Sequence, residues 1–265
     1  MNNLNIIYGN GEDTKRKLDV LLEGAVKFYG SNYESLILDV VKNTGFYESD
    51  GKYNEKEVLK YISGNNKTRI SKFSSYNKIA SFYLQKSVIE GKTSSIVATP
   101  IIKTDYDYHI FAHELFGHAI CGRINPTIAT KDELYKRNGI SLTTRKKDYY
   151  DLLNEGFMEV IASSIVEQNK HNIKDISSIN YLTTRYCATK IFDTIGKEKM
   201  LKILVYYKYN IERIYNYDSK TNELKLLEKL LELELKTRDN PIINGFLNTR
   251  IEQNLNSFQK RKIRR

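Results

Sequence analysis

The stretch His113-Glu114-Leu115-Phe116-Gly117-His118 places two of the chain's four histidines and a glutamate within six residues. These are the residue types of hydrolytic metal chemistry. A zinc held by three protein groups keeps a fourth position for water and lowers that water's pKa to about 7. A carboxylate beside the water takes its proton and returns it to a leaving amine, an effect of roughly 10²–10⁴-fold on rate. The usual form of such a site is H-E-x-x-H on a helix, with the histidines four apart. A second carboxylate-bearing stretch, Asn154-Glu155-Gly156-Phe157-Met158-Glu159, lies further along.

The spacing here is five. On an ideal helix, side chains four apart differ by about 40° around the axis and side chains five apart by about 140°. Two ligands so splayed cannot share one metal on an undistorted helix. A π-bulge absorbs one extra residue and is found at functional sites. Gly117, just before the second histidine, tolerates the irregular backbone a bulge requires. The spacing therefore predicts a bulged helix rather than a plain H-E-x-x-H site.

The hexapeptide resembles the H-E-x-x-G-H motif of dipeptidyl peptidase III and the H-E-x-x-x-H motif of the tubulin tyrosine carboxypeptidase family. Both are zinc peptidases whose third ligand is a glutamate on a later helix. Leu153-Asn154-Glu155-Gly156-Phe157 is similar to the third-ligand segment of the aminopeptidase N family. The resemblance covers two short segments, residues 109–122 and 150–162. It implies His113, His118 and Glu155 as zinc ligands and Glu114 as general base. It also implies a carboxylate four residues after the third ligand, which is Glu159. Residues four apart share a helix face. Glu159 is thus placed to hydrogen-bond a ligand histidine's other ring nitrogen, fixing its tautomer and raising its basicity. The 36 residues between His118 and Glu155 depart from the short gap of aminopeptidase N, so subfamily and substrate are not implied.

Other readings of the same residues stay open. The histidines and glutamate are ordinary surface or core residues in one. His109 and His113, four apart, form an undistorted metal pair in another. His118 and Cys121, three apart, are a third pairing, although a buried cysteine commonly acts as a small hydrophobe. Glu155 alone is an ordinary carboxylate, but its place at the start of an apolar helix favours burial beside a cation.

The helix carrying the histidines should begin near Thr104 or Asp105, both able to cap. It runs through Phe111, Ala112, Leu115, Phe116, Ala119 and Ile120 and stops by Gly122, with Pro126 beyond. Apolar residues nearly surround it, which predicts burial. Histidines inside such a helix need polar partners or a metal. Residues 123–147 connect to the second ligand helix, with Thr130 and Glu133 in a capping-box pattern for a short helix ending at Asn138-Gly139. That second helix is expected over 148–169, burying Leu152, Leu153, Val160, Ile161 and Ile165, and another helix over 178–194. A tyrosine, histidine or arginine commonly stabilises the oxyanion in such enzymes. Tyr186, Arg185, Tyr106, Tyr108, His109 and Tyr215 are the options, and 20 tyrosines leave the choice open.

Upstream, the first 92 residues read as helices broken by turns. Leu18, Leu21, Leu22, Ala25, Val26 and Phe28 fall at helical spacing over 14–29, closed by Gly30. Shorter helices are expected over 33–42 and 54–63, with the turn signals Asn43-Thr44-Gly45 and Ser49-Asp50-Gly51 between them, and a further one over 76–90. Residues 94–102 are the best strand, and Pro100 makes it an edge or a break. An edge strand there would accept an extended peptide by strand addition. Downstream, 197–253 looks helical with a break at Asn240-Pro241, and Leu224, Leu227, Leu231 and Leu235 form an amphipathic face.

The length allows a full core, and 40% hydrophobic with 28% charged residues suits a globular chain. No apolar run reaches about 18 residues, so no membrane span is expected. Met1 to Tyr8 lacks the pattern of a signal peptide, and two cysteines make no disulfide framework. A cytoplasmic location fits, as does delivery into another cell. The charge of +10 suits an acidic partner, but part sits in Lys260-Arg261-Lys262 and Arg264-Arg265, and no nucleic-acid module accompanies it.

The expected architecture is mainly α (α+β), a zincin-like metallopeptidase with a small edge sheet packed on a helical body. One domain spans 1–255, with a helical wall to 92, a metal-site core over 93–195, C-terminal helices to 255 and a basic tail over 256–265. The expected function is zinc-dependent hydrolysis of a peptide or protein, without nucleic acid or membrane. The rivals are a metal-binding protein without catalysis and a basic nucleic-acid-binding module with incidental histidines. Only the last requires oligonucleotide binding that falls steeply with salt.

Overall fold

A computed structural model describes residues 4–50, 69–70, 81–86, 93–124, 136–139, 141–143, 148–149, 151–169, 182–206, 226, 229–230, 249 and 251–260. These residues are mainly helical, with one mixed sheet of five strands and short further strands. They fall into two compact units, residues 1–126 with 161–177, and residues 127–160 with 178–265.

In the first unit the five strands are β1 (Asn5–Tyr8), β2 (Thr44–Ser49), β3 (Arg69–Ile70), β4 (Ser81–Lys86) and β5 (Thr93–Pro100), in the order β1-β2-β5-β4-β3. β1, β2 and β5 are parallel, and β4 pairs antiparallel with β5 and β3. One row across the sheet runs Ile6, Phe46, Val97, Phe82. All six residues of β2 are buried, as expected of a parallel strand covered on both faces.

Two helices follow β1 before β2. Helix α1 (Glu12–Tyr29) buries Leu18, Leu21, Ala25 and Phe28, four of the six positions its sequence spacing singled out. Helix α2 (Glu34–Lys42) follows a short 3₁₀ turn. The N-terminus of α1 is capped from β2. Glu48 accepts hydrogen bonds from the backbone N–H groups of Asn10, Gly11 and Thr14 and from the Thr14 hydroxyl, at 2.8–3.0 Å. A carboxylate there satisfies orphan donors and faces the positive end of the helix dipole. Gly9 makes room for it: a Cβ at that position would lie 2.2 Å from Glu48 Oε2, and the φ of 101° already favours glycine.

Lys17, on the same helix, is fully buried. Its ammonium pairs with Asp13 at 2.7 Å, bonds Thr99 Oγ1 and the Pro100 carbonyl, and lies 5.3 Å from the Phe111 ring centroid. Asp13 also accepts from Ile102 N–H at 2.9 Å and from Arg16 at 2.8 Å. Burial pulls the Lys17 pKa below its ordinary value against the pull of Asp13. Burial alone would raise the Asp13 pKa, but the Lys17 and Ile102 hydrogen bonds, the Lys17 charge and Arg16 outweigh it, and the net shift is downward.

Several expectations are corrected here. Residues 44–49 and 81–86 are strands, although the first carries turn signals at its ends and the second has helical spacing. Residues 5–8 and 69–70 are strands as well, so the region before residue 92 is not wholly helical. β5 is not an edge. It is paired on both sides, so its backbone is not available for strand addition, and Pro100 simply ends it. The expected helix over 54–63 and the break at Asn240-Pro241 lie outside the described residues, as do Leu224, Leu227, Leu231 and Leu235.

In the second unit β6 (Lys136–Asn138), β7 (Ser141–Thr143) and β8 (Asp148–Tyr149) pair antiparallel in succession. Asn138-Gly139 therefore turns a hairpin instead of closing the expected short helix, and Gly139 takes φ 57°. Helices Leu182–Ile195 and Lys197–Leu201 follow, and a helix over 251–260 carries the expected tail as far as Lys260. Among the described residues no helix is long and apolar enough to cross a membrane.

Asp13→Ala leaves the Lys17 ammonium buried without its carboxylate and should cost about 3–5 kcal/mol in urea unfolding at neutral pH. With its folded pKa depressed, the stability Asp13 contributes is fully present above the unfolded aspartate range. It is lost as pH falls through the folded pKa, so the variant should lose less on acidification. A cost below about 1 kcal/mol, within the range of exposed ion pairs, would contradict the role assigned to the pair.

Candidate metal centre

The histidine helix starts at Asp105, with Thr104 extended at its N-cap. Asp107 reaches back to accept from Lys103 N–H at 2.9 Å and Thr104 N–H at 2.8 Å. This is the reciprocal half of a capping box. The helix is pinned to the sheet by Phe111, which stacks on Phe46 at 6.0 Å and meets Phe116 edge-on at 6.4 Å. Ala112, Leu115, Phe116, Ala119 and Ile120 are all buried, as the surrounding apolar pattern predicts.

From Ala112 to Ala119 the helix is a π-helix. Its hydrogen-bonded turn relates residues five apart instead of four, so His113 and His118 stack on one side. Their rings stand edge to face at 4.7 Å, with Nε2 to Nε2 at 3.0 Å, and both are buried. The deformation inferred from the five-residue spacing is the one the backbone adopts.

Glu155 lies in the first half of the Asp151–Glu167 helix and is half-buried. One ligand atom from each of His113, His118 and Glu155 falls within 4.8 Å of the other two. Zinc bonds of about 2.0–2.1 Å at tetrahedral angles put donors roughly 3.4 Å apart. The two imidazole nitrogens, 3.0 Å apart, stand near that separation. Two imidazoles and one carboxylate are a donor set that zinc takes. Among the described residues this is the group of three whose ligand atoms lie close enough to hold a metal ion, and His109 is not part of it.

Glu114, beside His113, is half-buried. Glu159 is buried, one turn beyond Glu155 on the same face. His109 is buried and stacks on Tyr106 at 6.1 Å. Tyr108 and Arg185 are half-buried, and burial raises the Tyr108 pKa. Tyr186 is exposed and donates to Glu252 at 2.5 Å, the bond that chiefly raises its pKa. Tyr215 lies outside the described residues. Neither cysteine is in a disulfide, and burial, with Glu252 nearby, pushes the Cys187 thiol up to about 12.

The glutamate helix is buried more widely than expected. Asn154, Phe157, Met158, Ala162 and Val166 join Leu153, Ile161 and Ile165, while Val160 is half-buried. Phe157 packs edge-on against Phe192 of the Leu182–Ile195 helix at 5.7 Å. Gly156 permits that approach: a Cβ there would lie 2.4 Å from the Thr184 carbonyl oxygen. The sequence reading missed Lys17, Asp13 and Tyr29, whose hydroxyl donates to the Phe116 carbonyl inside the π-helix. Asp107 had a readable signal, since Thr104-x-x-Asp107 is a capping pattern.

Compared with known proteins, the chain matches no family model, no curated protein and no solved structure.

Gly156→Ala should lower stability by about 1–3 kcal/mol in chemical unfolding, because the added methyl meets backbone that cannot rotate away. Unchanged stability would mean that the two helices do not need this close approach.

Proposed function

We propose that the protein is a zinc-dependent peptidase that hydrolyses peptide bonds in a peptide or protein substrate. The convergence of His113, His118 and Glu155 supports this reading most directly, with Glu114 next to the first histidine. His113, His118 and Glu155 would hold the metal. Zinc bound there supplies a Lewis acid and a water of pKa about 7. Glu114 would serve as the general base toward the attacking water and as the proton donor to the leaving amine. Its half-buried position allows access to substrate while keeping the carboxylate partly out of solvent.

Glu159 supports the site from behind. A buried carboxylate needs hydrogen-bonding or charged partners. In this reading it fixes the tautomer and orientation of a ligand histidine. The mainly helical fold with an adjoining sheet is compatible with a zincin-like arrangement. With β5 paired on both sides, substrate is held elsewhere than along that strand.

Glu114→Gln removes the proton acceptor while leaving the ligands in place. The expected result is about one zinc per chain, as in the parent, with hydrolysis of a denatured protein substrate reduced at least about 100-fold. Hydrolysis at the parental rate would remove Glu114 from the mechanism. A parent that takes up no zinc under any loading condition would remove the peptidase reading itself.

A further inference from the structure

The widened helix leaves a trace in its hydrogen bonds. In an α-helix the N–H of Ile120 would donate to the carbonyl four residues back, that of Phe116. Here it donates to Leu115 and Gly117 and passes Phe116 by. Phe116 is wholly buried, so its carbonyl needs a donor from within the protein. The Tyr29 hydroxyl supplies one. Tyr29 ends α1, is itself buried, and sits between Phe28 at 5.3 Å and Tyr33 at 5.8 Å.

We propose that Tyr29 is a positioning residue for the metal centre, its hydroxyl holding the histidine helix in the widened register. In the α register the buried Phe116 carbonyl would already have Ile120 N–H as a partner, so the Tyr29 hydroxyl would be needed less there. In the widened register the hydroxyl takes over from that N–H. An interaction that differs between two registers shifts the population between them. The α register would turn His113 and His118 about 140° apart. By holding the other register, Tyr29 pre-organises the two imidazoles without touching metal or substrate. The metal part of this inference rests on the metal-centre reading, but the backbone part does not.

Tyr29→Phe keeps the ring and deletes only the hydroxyl, and Tyr33→Phe serves as the control from the same cluster. Amide hydrogen exchange at Ile120 and Cys121, followed by NMR on metal-free protein, should become about 10-fold faster in Tyr29→Phe and stay unchanged in Tyr33→Phe. Cobalt(II) titration, read from the visible absorption of the bound ion, should show about 10-fold weaker binding and an altered spectrum, the scale of a lost ligand-orienting contact. Should Tyr29→Phe fail to fold, 3-fluorotyrosine at position 29, a stronger donor of the same shape, should slow the same exchange. Unchanged exchange would overturn the backbone role. Faster exchange with an identical cobalt affinity and spectrum would overturn the positioning role. Faster exchange in a protein whose parent binds no cobalt would leave the backbone role standing and overturn both the positioning role and the metal reading.

Discussion

Side chains five residues apart on an α-helix point in different directions, and the candidate site depends on undoing that. The helix over 112–119 widens until His113 and His118 face one another at 3.0 Å. Such a widening disturbs the regular ladder of main-chain hydrogen bonds, so it persists only where surrounding contacts support it. Here the support is dense. Phe111 and Phe116 lock the helix into the core, Asp107 ties down its first turn, and a tyrosine from α1 reaches a carbonyl of the widened segment. A metal site needs ligands held close to their final geometry by neighbours that are themselves fixed. Packing of this kind holds the two histidines in that way.

The polar groups buried around α1 serve the same end. Lys17 and Asp13 bind the main chain at Pro100 and Ile102, immediately before the cap of the histidine helix at Thr104. Desolvating an ammonium and a carboxylate is costly, and the mutual attraction offsets it only when the remaining hydrogen bonds are filled. They are filled here by Thr99, Pro100, Ile102 and Arg16. The result is a fixed passage from the end of β5 into the helix. Glu48 does similar work at the same end of the strand layer, where it lies in register with Thr99 and accepts from the exposed N–H groups at the start of α1.

How much of this the amino-acid sequence discloses depends on the range of the interaction. The five-residue spacing, Gly117 and the Thr104-x-x-Asp107 cap are local, and they foretell the bulge and the helix start. The partnership of Glu155 with the histidines was legible only through likeness to known motifs, because 36 residues separate it from His118. The strands were obscured by physical ambiguity. Thr44–Ser49 is flanked by glycine and asparagine turn signals, and Ser81–Lys86 is too short for periodicity to separate strand from helix. Tyr29 is one of 20 tyrosines, and its acceptor is a main-chain carbonyl 87 residues away, which no side-chain pattern records.

The central claim is that two histidines and one distant glutamate hold a single ion. X-ray diffraction from zinc-loaded crystals, measured on both sides of the zinc absorption edge, tests it directly. One anomalous peak is predicted, at about 2.0–2.2 Å from a ring nitrogen of His113, a ring nitrogen of His118 and a carboxylate oxygen of Glu155. A saturated crystal with no peak between those groups, or with zinc held by His109 and His113 while His118 points away, would contradict it.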